Sequence, residues 1–115
     1  MIKYELDQML KYLDIPVGEG EQYLDQGDDY PKVAYWEYVW TDAMSSGRDY
    51  EEVVTYQVSF VSRKPRHPKL LELKEMLNQK GLHPVFYHEY VKGTNAPGYF
   101  HTYFSIDVEE VLTEV

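Results

Sequence analysis

The sequence contains no cysteine. That excludes disulfides, a thiolate nucleophile and Cys-based zinc or iron–sulfur centres. It fits a reducing compartment without requiring one. No apolar run approaches the ~20 residues that span a bilayer. The opening stretch, Met1-Ile2-Lys3-Tyr4-Glu5, lacks the apolar core of a signal peptide and carries an acid early. The expectation is a cytoplasmic product with no membrane partner. Bases are also scarce: 11 Lys and Arg stand against 20 Asp and Glu, a net charge of −9. Binding to nucleic acid needs Lys and Arg to displace phosphate counterions, so this balance disfavours it. The bases cluster once, at Arg63-Lys64-Pro65-Arg66-His67-Pro68-Lys69. A nucleic-acid patch and a solvated strand-to-helix loop are both readings of that run. The lack of interleaved aromatics, and so of a stacking platform, favours the loop.

The chain has 115 residues, 43% of them hydrophobic. This is the size of one domain with one core, and we expect a single α+β domain over residues 1–115. Twelve tyrosines dominate the aromatic content. Tyrosine joins an apolar ring to a polar tip, which suits half-buried sheet faces and protein interfaces.

Ile2, Leu6, Met9, Leu10 and Leu13 fall on one face of a 3.6-residue period, which predicts a helix over 2–13. Pro16 and Gly18 end it, and 16–31 reads as an acidic loop. Residues 32–40 are aromatic and β-branched and predict a strand. Residues 41–50 read as a long polar hairpin tip. In 51–62, Val54, Tyr56, Val58 and Phe60 alternate with Thr55, Gln57 and Ser59, the pattern of a half-buried strand. A second helix is predicted from Pro68 to Lys80, with Leu70, Leu73 and Leu77 as its stripe and Gly81 as its stop. Strands over 84–91 and 99–108 follow, separated by a turn-rich loop at 92–98, and the tail from Glu109 is expected to fray. The expected fold is a four-stranded, largely antiparallel sheet with two helices on one face, in the order α-β-β-α-β-β. Its core is expected to contain Leu6, Leu10, Val54, Tyr56, Val58, Phe60, Leu70, Leu73, Leu77, Phe104 and Ile106.

The sheet face away from the helices is expected to carry Tyr99, His101 and Tyr103, joined by Tyr87 or its neighbours. The first strand is apolar or aromatic on both sides, with Trp36, Tyr38 and Trp40 on one and Val33, Tyr35 and Val39 on the other. A face bathed in water shows cleaner polar alternation, and a large aromatic patch marks a binding surface unless loops or the tail cover it. The candidate interface residues are Tyr35, Trp36, Trp40, Tyr87, His101 and Tyr103, with Asp42, Met44 and Arg48 of the hairpin tip.

No constellation for chemistry emerges. His67 and His83 lie in predicted loops. His88 and His101 lie on neighbouring predicted strands, but His88 and Glu89 face opposite sides and do not ligate together easily. The acidic pairs Asp28-Asp29, Glu51-Glu52 and Glu109-Glu110 sit at element edges and read as solvating charge. The serines lack a nucleophile-elbow context. Gly18-Glu19-Gly20 follows a helix rather than a strand, so it fails as a phosphate loop. We therefore expect no catalytic residue, no metal site and no cofactor.

Several segments together resemble a known family. They are Leu13-Asp14-Ile15-Pro16-Val17-Gly18-Glu19-Gly20 after a short helix, the entry Tyr30-Pro31-Lys32-Val33-Ala34-Tyr35, the turn Thr41-Asp42-Ala43, and the strand Tyr56-Gln57-Val58-Ser59-Phe60-Val61-Ser62 followed by a charged loop and helix. In this order they resemble the tail terminator or tail-completion proteins of long-tailed bacteriophages and prophages. Lys32 stands where that pattern commonly has an apolar residue. The resemblance implies a head–tail joining protein of the virion neck, made in the bacterial cytoplasm, that self-assembles into a ring, usually a hexamer. It implies the tail tube and neck or connector proteins as partners, DNA passing through without specific binding, and no active site. The alternative from the residues is a small acidic protein, an inhibitor or DNA mimic, that neutralises a basic partner.

Overall fold

The stripe of Leu6, Leu10 and Leu13 packs one helix onto a sheet, and Leu70, Leu73 and Leu77 pack a second beside it. A computed structural model describes residues 1–20, 24, 30–44, 50–93 and 98–111, with only the backbone at 41–44, 50–52 and 110–111. The elements are α1 (Lys3–Tyr12), β1 (Val17–Glu19), β2 (Lys32–Met44), β3 (Tyr50–Ser62), α2 (Pro68–Gln79), β4 (Tyr87–Val91) and β5 (Tyr99–Val111). The sheet order is β1-β2-β3-β5-β4.

The described residues form an α+β fold with two helices and a mixed five-stranded sheet, which corrects the expected count and order. The added strand is β1, inside the stretch read as an acidic loop. It runs parallel to β2, pairing Val17 with Val33 and Glu19 with Tyr35. Its three residues, one a glycine, are too few to show alternation, and its partner is distant in sequence. The remaining pairings are antiparallel. A second correction concerns 41–50: β2 continues through Met44 and β3 begins at Tyr50, with Thr41 paired to Val53 and Met44 to Tyr50. Cross-strand pairing overrides the local turn preference of Thr41 and Asp42. The tip between the strands, including Arg48, lies outside the described residues, as do residues 112–115; Glu109 to Val111, expected to fray, instead extend β5 and pair with Val53 to Glu51.

All eleven expected core residues are buried, joined by Val33, Tyr35, Met9, Leu13 and Val108. Tyr35 enters this core because its hydroxyl donates to Asp7 Oδ1 of α1 at 2.7 Å. Burial and that carboxylate push its hydroxyl above the usual tyrosine range. Lys3 ties the same helix to β1 through Glu19 at 3.1 Å, and the contact raises the lysine's affinity for its proton.

α2 stops as its sequence predicts. Gly81 takes φ 77°, and the N–H groups of Gly81 and Leu82 donate to the carbonyls of Asn78 and Leu77, a Schellman closure. At its start, His67 Nδ1 accepts from the Lys69 N–H at 3.0 Å. Accepting requires an unprotonated Nδ1. Burial first, then the charges of Lys64 and Lys69, lower the histidine's pKa below its ordinary 6.5. A group lowered in the folded state contributes stability above its unfolded pKa and loses it as pH falls through the folded one. Urea midpoints should therefore fall between about pH 7.5 and pH 5 in part through His67. His67→Asn, which caps without titrating, should flatten that loss, and His67→Ala should cost about 1 kcal/mol at neutral pH. An unchanged acid slope in His67→Asn contradicts the assignment.

Candidate interaction surface

The register sorts the side chains of the sheet into two faces. Opposite the helices, Ala34, Ser59, Tyr103 and Tyr87 form one row across four strands, and Lys32, Val61, His101 and Glu89 form the next. Trp36, Gln57 and Ser105 make a third row.

The centre of this open face is not solvated. Ala34, Ser59, Val61 and Lys32 are buried. Tyr30 contributes to that cover from outside the sheet: its ring stacks on Tyr99 at 5.6 Å and lies under the Arg63 guanidinium at 4.3 Å, with Lys32 Nζ 5.4 Å from its centroid. Arg63 also donates to the Gly98 carbonyl at 3.4 Å. Part of the basic cluster thus braces the fold through an aromatic that is remote in sequence.

Three strands are laced together by side chains in this face. His101 Nδ1 lies 2.8 Å from Glu89 Oε1, and Nε2 lies 2.8 Å from Ser59 Oγ. The carboxylate can only accept, so Nδ1 carries the proton, and in the neutral ring Nε2 accepts from the serine hydroxyl. The connectivity is that of a Ser–His–acid relay. Its setting differs from one: Ser59 is fully buried at mid-strand, paired to Ala34 on one side and Tyr103 on the other. As placed, its Oγ is closed to a substrate, and the chain of bonds acts as a brace across β3, β5 and β4. His88 faces the other way and meets Thr102 Oγ1 at 2.8 Å. Among the described residues no group of three or more His, Cys, Asp or Glu is placed to hold a metal ion.

Toward the β4 edge, Tyr87 stacks on Tyr103 at 5.4 Å and 21°, and Tyr103 meets the His101 ring at 5.0 Å. Tyr87 is more than half exposed. At the opposite side lies the stem of the β2–β3 hairpin. A register shift between Glu37 and Val39 places Val39 opposite Thr55 and Trp40 opposite Val54. This bulge separates Trp36 from Trp40, which strict alternation puts on one face. Tyr38 and Trp40 are 62% and 63% exposed and Val39 is 42% exposed.

Of the candidate interface residues, Trp36, Tyr87, His101 and Tyr103 share the open face and Trp40 lies on the stem. Tyr35 belongs to the core and does not reach this surface. Asp42 and Met44 continue the stem by their backbone pairing with Glu52 and Tyr50; their side chains, and all of Arg48, lie outside the described residues. Glu89, Ser59 and Tyr30 stand outside the expected interface set. For Glu89 and Ser59 the signal was alternation: Glu89 shares its strand face with Tyr87, so a register pairing Tyr87 with Tyr103 brings it opposite His101. A scan against protein-family models and a search of curated proteins return no match to this chain.

Proposed function

We propose that this chain is a structural protein of a phage or prophage neck, a tail terminator or tail-completion protein that caps the head-proximal end of the tail tube as a ring, hexameric as in the family it resembles. The observation that carries this reading is the hairpin stem. β2 and β3 each run 13 residues, about 43 Å of strand, in a molecule measuring 56 × 27 × 22 Å. Exposure on β2 begins at Glu37, just past the last core residue Tyr35, and includes Tyr38, Val39 and Trp40.

A ring that closes by rotation needs two unlike surfaces on each subunit. The stem and the Tyr87–Tyr103 edge supply two such surfaces on one sheet. Acidic subunits around a channel repel phosphate, so DNA passes without adhering. In this reading the chain catalyses no step and holds no cofactor. Its partners are its own copies, the tail tube and the adjoining connector proteins, and its destination is the virion.

The test is mass by light scattering across concentration and salt, with co-sedimentation on tail tubes of the same phage or prophage. We expect a ring, or tube-dependent assembly where the isolated subunits stay apart. A chain that remains monomeric and also ignores tail tubes removes the ring and favours a small acidic protein that binds a basic partner.

A further inference from the structure

The outer side of the helix layer carries a second surface. α1 and α2 are walls of an open groove of about 840 Å³. Met9 and Met76 belong to its lining; Met9 is buried against the core and Met76 packs on it. Tyr4 and Tyr12 stand on the α1 wall at 66% and 71% exposure. The α2 wall presents Glu72, Glu75 and Gln79. Lys80 meets Glu5 at 2.8 Å and holds that carboxyl below the usual glutamate range. Glu72 meets Lys69 at 3.6 Å, and Glu75 accepts from Gln79 at 3.4 Å. Three carboxylates and one ammonium line the groove, in a chain whose net charge is −9.

We propose that this groove binds a cationic amphipathic helix of a partner protein, and that it does so independently of ring assembly through the stem and sheet. Three features select that occupant. The walls repeat at helical spacing: Tyr4 to Tyr12 and Glu72 to Gln79 each cover about two turns, roughly 10–12 Å. This matches a docked helix with anchors at i, i+4 and i+7. The thioethers of Met9 and Met76 adapt to aliphatic anchors of varied shape. Glu72 and Glu75 on one wall and the rings of Tyr4 and Tyr12 on the other favour Lys and Arg at the flanks of those anchors, by charge and by cation–π contact.

The probe is a fluorescent, helix-stapled peptide with Leu at i, i+4 and i+7 and Lys or Arg beside them, titrated into the full chain by anisotropy. Binding should saturate at one peptide per chain and weaken as salt rises. Glu72→Lys with Glu75→Lys should weaken it at least about tenfold. Asp107→Lys with Glu109→Lys makes the same charge change on exposed residues of β5 and should leave affinity within about threefold. Methionine methyl NMR should place the largest shifts at Met9 and Met76, and circular dichroism checks that each variant is folded. Three outcomes overturn the proposal: no saturable binding, equal loss in both charge-reversed pairs, or methyl shifts that spare Met9 and Met76. Self-association of the chain alone that Glu72→Lys with Glu75→Lys abolishes also overturns it, because the groove then belongs to a second copy.

Discussion

Phe60→Ala should lower the free energy of unfolding by about 3–5 kcal/mol. Phe60 is fully buried and sits on the middle strand of the helix-facing sheet surface, opposite Val33 on β2 and Thr102 on β5. Truncation removes the transfer energy of a phenyl ring and leaves a cavity that two hydrogen-bonded neighbours keep from collapsing. A further loss comes from the loop before α2, since the Phe60 ring lies 5.9 Å from that of His67, the residue that caps the helix. A domain of this size holds about 5–15 kcal/mol in total, so the variant should approach marginal stability. Urea melts are the measurement, with the slope unchanged and the midpoint lowered. Phe60→Leu should lose much less, about 1.5 kcal/mol or below, because volume is largely kept. A loss under about 1 kcal/mol in Phe60→Ala contradicts the packing described for β3.

That Phe60 could be named as core from the sequence reflects where the information lies. The stripes of α1, α2 and β3 are encoded within one element: Leu70, Leu73 and Leu77 need only a 3.6-residue period, and Val54 to Phe60 only a period of two. Gly81 closes α2 by chemistry local to its turn. The features that no single element encodes depend on partners far along the chain. β1 is a strand only because Val17 and Glu19 find Val33 and Tyr35. Alternation sets Tyr35 with Val33 and apart from Tyr38, but the burial of its polar tip rests on Asp7 of α1, which receives its hydroxyl.

The surface was harder to read than the core for a related reason. A strand aromatic on both sides carries no phase, so one bulge reassigns every side chain beyond it. The shift between Glu37 and Val39 moves Trp40 away from Trp36. Register likewise decides that His101 meets Glu89 rather than His88. The aromatic excess was visible as composition, yet it is spread widely in space. Tyr35 and Tyr56 hold the core, Tyr30, Tyr99, Tyr87 and Tyr103 hold the open face, Tyr4 and Tyr12 stand on α1, and Tyr38 remains on the stem with Trp40.

On the proposed ring, Tyr38→Ala combined with Trp40→Ala should therefore separate assembly from folding. Both side chains are mostly exposed, so the cost to stability should stay near or below about 1 kcal/mol. Large aromatic residues are the usual anchors of protein interfaces, and each is worth about 2 kcal/mol or more when its pocket on the partner is fully desolvated. Loss of two such anchors should weaken association with neighbouring copies or with the tail tube by at least about 100-fold. Salt should act in the opposite direction on the intact chain. Subunits of charge −9 repel one another, and raising ionic strength shortens the screening length from about 8 Å at 0.15 M to about 3 Å at 1 M. Assembly of the wild type should consequently rise with salt, while the double variant should stay dissociated where the wild type is fully assembled. Thermal melts and light scattering on the same samples read the two effects apart. A double variant that melts normally and still assembles or co-sediments like the wild type rules the stem out as the contact. An assembly that dissolves as salt rises shows instead that opposite charges hold the subunits together, and that charge complementarity rather than the aromatic stem forms the joint.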